Sequence, residues 1–208
     1  MKGKTIKLGF SGEHIKFLKQ NGVVFFFVAL LMAGYFGGII FSSNEGGITH
    51  RISEIFFENF IEIRLNGNFI NVLMSSFVVS FAFLFVNFIS GLSLVGVFFV
   101  SFTLYIKGML FGMIAGFSVA SYSFKGLLFY ICIIVPSALI SSVSLIFSSR
   151  RSTEFSRKLL IGLSSAKSVS VSDLKFYCLR NLIFLGFTFL SAVADSLLSK
   201  FFGRLFGL

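Results

Sequence analysis

The fold class predicted by this chain is all-α, a polytopic helical membrane protein, and three observations predict it. Hydrophobic residues make up 56% of the 208 residues and charged residues only 12%, against about 25% charge in soluble domains. Uncharged runs of roughly twenty residues recur, the length a helix needs to cross about 30 Å of hydrocarbon. The polar segments between them alternate in the sign of their charge. With a mean hydropathy of +0.95, the chain has too little polar surface to face water. The expectation is a single integral membrane domain over 1–208, with about five transmembrane helices and one amphipathic interfacial helix. Phenylalanine occurs 32 times and tryptophan not at all; nothing functional follows from that.

The first span is 22–41, "GVVFFFVALLMAGYFGGIIF", free of charge. It follows a basic segment with Lys2, Lys4, Lys7, Lys16 and Lys19. Its apolar core is longer than that of a signal peptide and no small-x-small cleavage site follows, so a retained helix is expected. In 42–68, Glu45, Glu54, Glu58 and Glu62 outnumber Arg51 and Arg64, for a net −2. There Ile52, Ile55, Phe56, Phe60 and Ile63 recur at helical spacing, with Thr49 as N-cap. The predicted helix, 49–65, carries Glu54, Glu58 and Glu62 on its other face. It can lie in the interface, pack on the bundle, or offer that acidic face to a partner protein.

From Phe69 to Phe124 the only formal charge is Lys107. Two helices fit, 69–88 and 92–119, with the turn expected at Asn87–Gly91. The second of these is either continuous and tilted or stops at Ile106, leaving 107–123 as a re-entrant or broken helix. A short turn at Ser121–Lys125 leads to a fourth span, 126–147. Pro136 in its middle removes a backbone donor, so a kink is expected there. Ser137, Ser141, Ser142 and Ser144 stand ready to bond freed carbonyls. A basic loop, 148–175, carries net +4. A fifth span, 176–193, is expected after Ser172 as N-cap, with an amphipathic tail holding Lys200 and Arg204.

The positive-inside rule puts the N-terminus and the 148–175 loop in the cytoplasm and the acidic loop outside. The net charge of +10 then needs no nucleic acid, because anionic membrane lipid accounts for it. Catalysis is not expected. Cys132 and Cys178 lie far apart in apolar surroundings, and His14 and His50 flank opposite ends of the first span. No metal cluster, cofactor site or nucleophile–base set can be assembled from these residues.

Gly108, Gly112 and Gly116 fall on one helix face, and Gly34 and Gly38 repeat the spacing in the first span. Small residues four apart let helix backbones approach closely in lipid. The stripe reads as intramolecular packing, as a homo-oligomer or partner interface, or as a substrate path. Lys107 beside it costs about 3 kcal/mol at the bilayer centre. It is an anchor if it can snorkel to an interface and a candidate functional charge if it cannot. Asp195 is the acidic residue nearest to pairing with it.

The stretch "FISGLSLVGVFFVSFTLYIKGMLFGMIAGF", Phe88–Phe117, followed by "FKGLLFYICIIVP", Phe124–Pro136, resembles the stage II sporulation protein M family of bacterial membrane proteins. Glycines precede a long apolar helix, a Lys-Gly-x-x-x-Gly stretch follows, and then a Lys-Gly-led helix with a central proline. Val97 and Ala138 depart from the family pattern, which has proline and asparagine there. The resemblance implies a non-enzymatic scaffold for engulfment in sporulation, in the septal or mother-cell membrane. It would anchor stage II sporulation proteins D and P, partners in a peptidoglycan-remodelling complex. A transporter or permease-like membrane subunit is the alternative.

Overall fold

The computed structural model describes residues 12–42, 59–64, 68–164 and 170–206, and among these it is helical with no strand. Helix α1 is Gly12–Ser42, α2 is the short helix 59–64, α3 is Phe69–Leu92 and α4 is Gly96–Phe129. A π-helical turn, Tyr130–Ile134, leads into α5, Val135–Ser164, and α6 is Val171–Phe206. Helices are the expected solution for such apolar runs, since every backbone polar group must be satisfied within the segment when water is absent.

Four stretches are long and apolar enough to cross a membrane: Gly22–Ser42, Phe69–Leu92, Gly96–Gly162 and Val171–Phe202. The third has 67 residues and would reach about 100 Å if straight, over three times the hydrocarbon thickness. It bends back at Ser123, whose φ of 48° and ψ of −128° are those of the first central residue of a type II′ turn. Lys107 Nζ donates to the Ser141 carbonyl at 3.0 Å and the Tyr130 hydroxyl to the Phe111 carbonyl at 3.3 Å. Each of these pairs straddles Ser123, so the two legs run antiparallel. The four stretches therefore supply five legs.

The glycine contacts fix the relative direction of α1 and α4. Gly34 lies on Tyr105 and Met109, Gly38 on Met109 and Met113, Gly108 on Leu31 and Tyr35, and Gly112 on Tyr35 and Ile39. Numbers rise together on both helices, so α1 and α4 are parallel. Across α5 and α6 the order is opposite: Ser144 Oγ donates to the Phe184 carbonyl at 3.0 Å and Ser191 Oγ to the Ser137 carbonyl at 2.7 Å. Two apolar cores result. One gathers Phe27, Val100, Leu104, Leu145 and Ile146. The other gathers Ile61, Ile114, Phe117, Phe129, Ile133 and Ile134, toward the C-terminal end of α1.

Several expected boundaries move. The α3–α4 turn lies at Ser93–Val95, beyond the expected Asn87–Gly91. Asn87 is fully buried with its Nδ2 donating to Ser148 and Ser149 of α5, so its polarity marked a contact and not a turn. The third span begins at Gly96 and runs unbroken through Lys107 to Tyr122, which removes the re-entrant reading of 107–123. The expected loop 148–175 is helical as far as Ser164. Its arginines pair with Glu154 along the helix, Arg150 at 3.1 Å and Arg151 at 2.8 Å, and such spacing supports a helix. The last helix starts at Val171 and not near Phe176. Asp173 N and Leu174 N bond the Ser170 carbonyl, placing the cap two residues before Ser172. Most of the expected helix 49–65, including Thr49, Glu54 and Glu58, lies outside the described residues.

Candidate functional site

A cavity of about 490 Å³ opens between the two cores, lined by residues of α1 through α6. Its walls are mainly side chains such as Phe83, Leu110, Phe111, Met113 and Ile134. Polar groups stand at two levels. Arg64, Ser76 and Asp195 lie at one end, and Lys107 and Ser141 at the other.

Lys107 is 3% exposed. The register of α4 on α1 gives its depth: its neighbour Gly108 faces the Leu31–Tyr35 backbone, the middle of the Gly22–Ser42 span. Eleven residues, about 16 Å, separate it from the start of α4 at Gly96. A four-carbon stem cannot cover that distance, so Lys107 does not snorkel. Its ammonium donates to the Ser141 carbonyl at 3.0 Å and lies 5.9 Å from the Phe111 ring centre, within cation–π range. Among the described residues no carboxylate pairs with it.

Asp195, the residue nearest to pairing with Lys107 in the sequence reading, is engaged elsewhere. Arg64 Nη2 lies 2.6 Å from Asp195 Oδ2, with side chains 4% and 3% exposed. Arg64 also donates to Ser76 Oγ at 2.8 Å and to the Phe60 carbonyl at 3.0 Å, and its guanidinium sits 3.4 Å over the Phe60 ring. Ser76 Oγ donates to Asp195 as well. Five donors in a fixed fork suit Arg64 to this role, and the ion pair survives burial because hydrogen bonds satisfy its remaining groups. It ties α2 to α3 and α6, with Ile61 buried beneath and Glu62 exposed outward.

The five glycines of the sequence reading fall together. An added Cβ at Gly34, Gly38, Gly108 or Gly112 would strike backbone of the facing helix, and at Gly116 the Ser42 side chain at 2.9 Å. Pro136 sits just after the π-helical turn, where Val135 N reaches back five residues to the Tyr130 carbonyl. The extra residue in that turn gives the proline ring room against the preceding carbonyls. Ser137 and Ser141 donate to the Ile134 and Ala138 carbonyls.

A second polar node was not foreseen. Asn87 Nδ2 donates to Ser148 Oγ and Ser149 Oγ, both at 3.1 Å, and Ser148 Oγ donates to Asn181 Oδ1 at 2.9 Å. The Tyr177 hydroxyl donates to the Phe88 carbonyl at 2.8 Å and bonds Ser152 Oγ at 3.0 Å. Its ring stacks on Phe88 and Phe155, with centroids 5.2 and 4.5 Å away. The available signal was the recurrence of serine every three or four residues from Ser137 to Ser156, a helix face built for polar contact with neighbours.

All groups of three or more potential metal ligands are absent among the described residues, and Cys132 and Cys178 are unbonded thiols. The chain is thus an all-α, membrane-embedded polytopic protein with a charged cavity at bilayer depth. Comparison with protein-family models, with curated proteins and with solved structures finds no match to it.

Proposed function

We propose that this chain is a non-enzymatic membrane scaffold of bacterial sporulation, which anchors and localises peptidoglycan-degrading partners at the septal and engulfing membrane. The Arg64–Asp195–Ser76 network carries the reading. A scaffold needs a surface outside the bilayer held at a fixed attitude to its membrane body. This network clamps α2 onto α3 and α6 with Glu62 pointing away. The backbone-to-backbone contact of α1 with α4 adds a body that resists sliding. The resemblance to the stage II sporulation protein M family supplies the partner class, proteins D and P.

The test is co-purification from detergent with a single-pass cell-wall hydrolase. Charge reversal at Glu54, Glu58 and Glu62 weakens that association if the acidic face is the partner surface. Unchanged recovery of the hydrolase overturns it. The transporter or permease-like reading has one observation in its favour, the midplane cavity beside a π-helical turn and Pro136, since discontinuous helices build transport sites at that depth. Solute flux in liposomes that is lost on Lys107→Met would establish it in place of the scaffold.

A further inference from the structure

Among the described residues, three ionisable side chains line the 490 Å³ cavity: Arg64, Asp195 and Lys107. Arg64 and Asp195 neutralise each other at 2.6 Å. The ammonium of Lys107 is left with one backbone carbonyl and one ring face. The hydroxyls of Ser137, Ser141 and Ser191 donate to backbone carbonyls, and being neutral they supply no counter-charge to Lys107. Among the described residues the cavity therefore holds one amine with no carboxylate beside it, at the midplane and surrounded by hydrocarbon, where its protonated form gains most from an anionic partner.

The amine and the shape of the cavity together define what would fit it. The volume falls within the range of small-molecule sites, which are mostly apolar with few placed polar groups. We propose that the cavity binds a single-chain amphiphile bearing one carboxylate, a fatty-acid-like ligand whose carboxylate pairs with Lys107 and whose chain lies along the phenylalanine-lined wall. Its mate is a free ligand and not a bilayer phospholipid. A phospholipid headgroup is held at the interface, about 15 Å from the midplane, and cannot reach Lys107. A free carboxylate enters head first. The bidentate acceptor satisfies two donors of the ammonium while the Ser141 carbonyl keeps the third. This inference goes beyond the scaffold reading and does not rest on it, since a scaffold without a ligand and a ligand site without a scaffold each give distinct results.

The experiment titrates the purified full-length protein in non-ionic detergent with cis-parinaric acid, a fluorescent long-chain carboxylate. Its methyl ester serves as the uncharged counterpart, and palmitate and a phosphatidic acid serve as competitors. The acid is expected to bind saturably, at least tenfold more tightly than the ester, and palmitate to displace it where phosphatidic acid does not. Lys107→Met is expected to weaken the acid at least tenfold and leave the ester unchanged, while Lys107→Arg retains binding. Ser80→Phe, which fills the cavity from α3, is expected to abolish both. Equal binding of acid and ester to the unmodified protein overturns the proposal, and that comparison needs no variant to fold. Retention of acid binding by Lys107→Met, or displacement by phosphatidic acid as effective as by palmitate, overturns it equally.

Discussion

Replacing Gly112 with alanine places one methyl group between two helix backbones. The new Cβ would lie 2.8 Å from the Tyr35 carbonyl carbon and 3.1 Å from Ile39 N, with the Tyr35 carbonyl oxygen nearer still. Carbon contacts are optimal at about 3.5–4.0 Å, so α1 and α4 must part by about 1 Å. A gap of that size forfeits roughly a quarter to a half of each facing dispersion contact, and Gly34, Gly38 and Gly108 share the interface. Overpacking costs about 1–3 kcal/mol. The upper part of that range applies because the obstacle is backbone, which cannot rotate away. At about 2–4 °C per kcal/mol for a chain of this size, a loss of about 5–10 °C in Tm is expected. The assay is thermal unfolding of the full-length protein in detergent, followed by loss of the monodisperse chromatographic peak. Two controls share the chemistry without the geometry. At Gly37 the added carbon meets only the Tyr105 hydroxyl at 3.2 Å, and at Gly186 nothing lies within 4 Å. Gly186→Ala is expected to be neutral or slightly stabilising. If Gly112→Ala melts within about 1 °C of Gly186→Ala, the interlock does not set the α1–α4 distance and the reasoning fails.

Asp195→Asn leaves Arg64 charged and buried, and breaking one partner of such a pair costs about 3–5 kcal/mol. The double change Arg64→Met with Asp195→Leu is expected to recover most of that loss, read in the same melt. Ser123→Gly removes the strain of a positive φ in a residue with a side chain, about 1–3 kcal/mol, offset in part by the added freedom of the unfolded chain. A net gain of about 1 kcal/mol should raise Tm, and a fall would mean the turn is held differently. Tyr177→Phe keeps both ring stacks and loses the hydroxyl contacts, for about 1–2 kcal/mol, whereas Tyr177→Leu loses the stacks as well and should cost more.

The parts legible in the sequence were those written as local periodicity. Uncharged runs marked the spans, and glycines four apart on two separate helices marked the faces that interlock. The polar contacts were harder, because each is one residue meeting another far along the chain. Arg64 and Asp195 are 131 positions apart, and in sequence Arg64 reads as one more charge of a polar connection. Asn87 carries the same chemistry whether it ends a helix or bonds Ser148 across the bundle, so its composition pointed to a turn that lies further on. Lys107 showed its type but not its depth, which depends on how α4 registers against α1. The glycine contacts supply that register, and sequence spacing alone does not.

The cavity sits where two ways of packing helices meet. In α1 and α4 the backbones touch, because glycine removes the side chains between them. In α5 and α6 the spacing is set by serine hydroxyls that bond across or along the helices. Large side chains fill the space above and below, in the cores around Leu104 and around Phe129. Between them the lining positions of α5 are Ser137, Ala138 and Ser141, residues too small to reach α3. Larger side chains at those three positions would occupy part of that gap. Small residues facing a midplane lysine keep the space open where packing alone would close it, and that is the arrangement expected of a site that holds something.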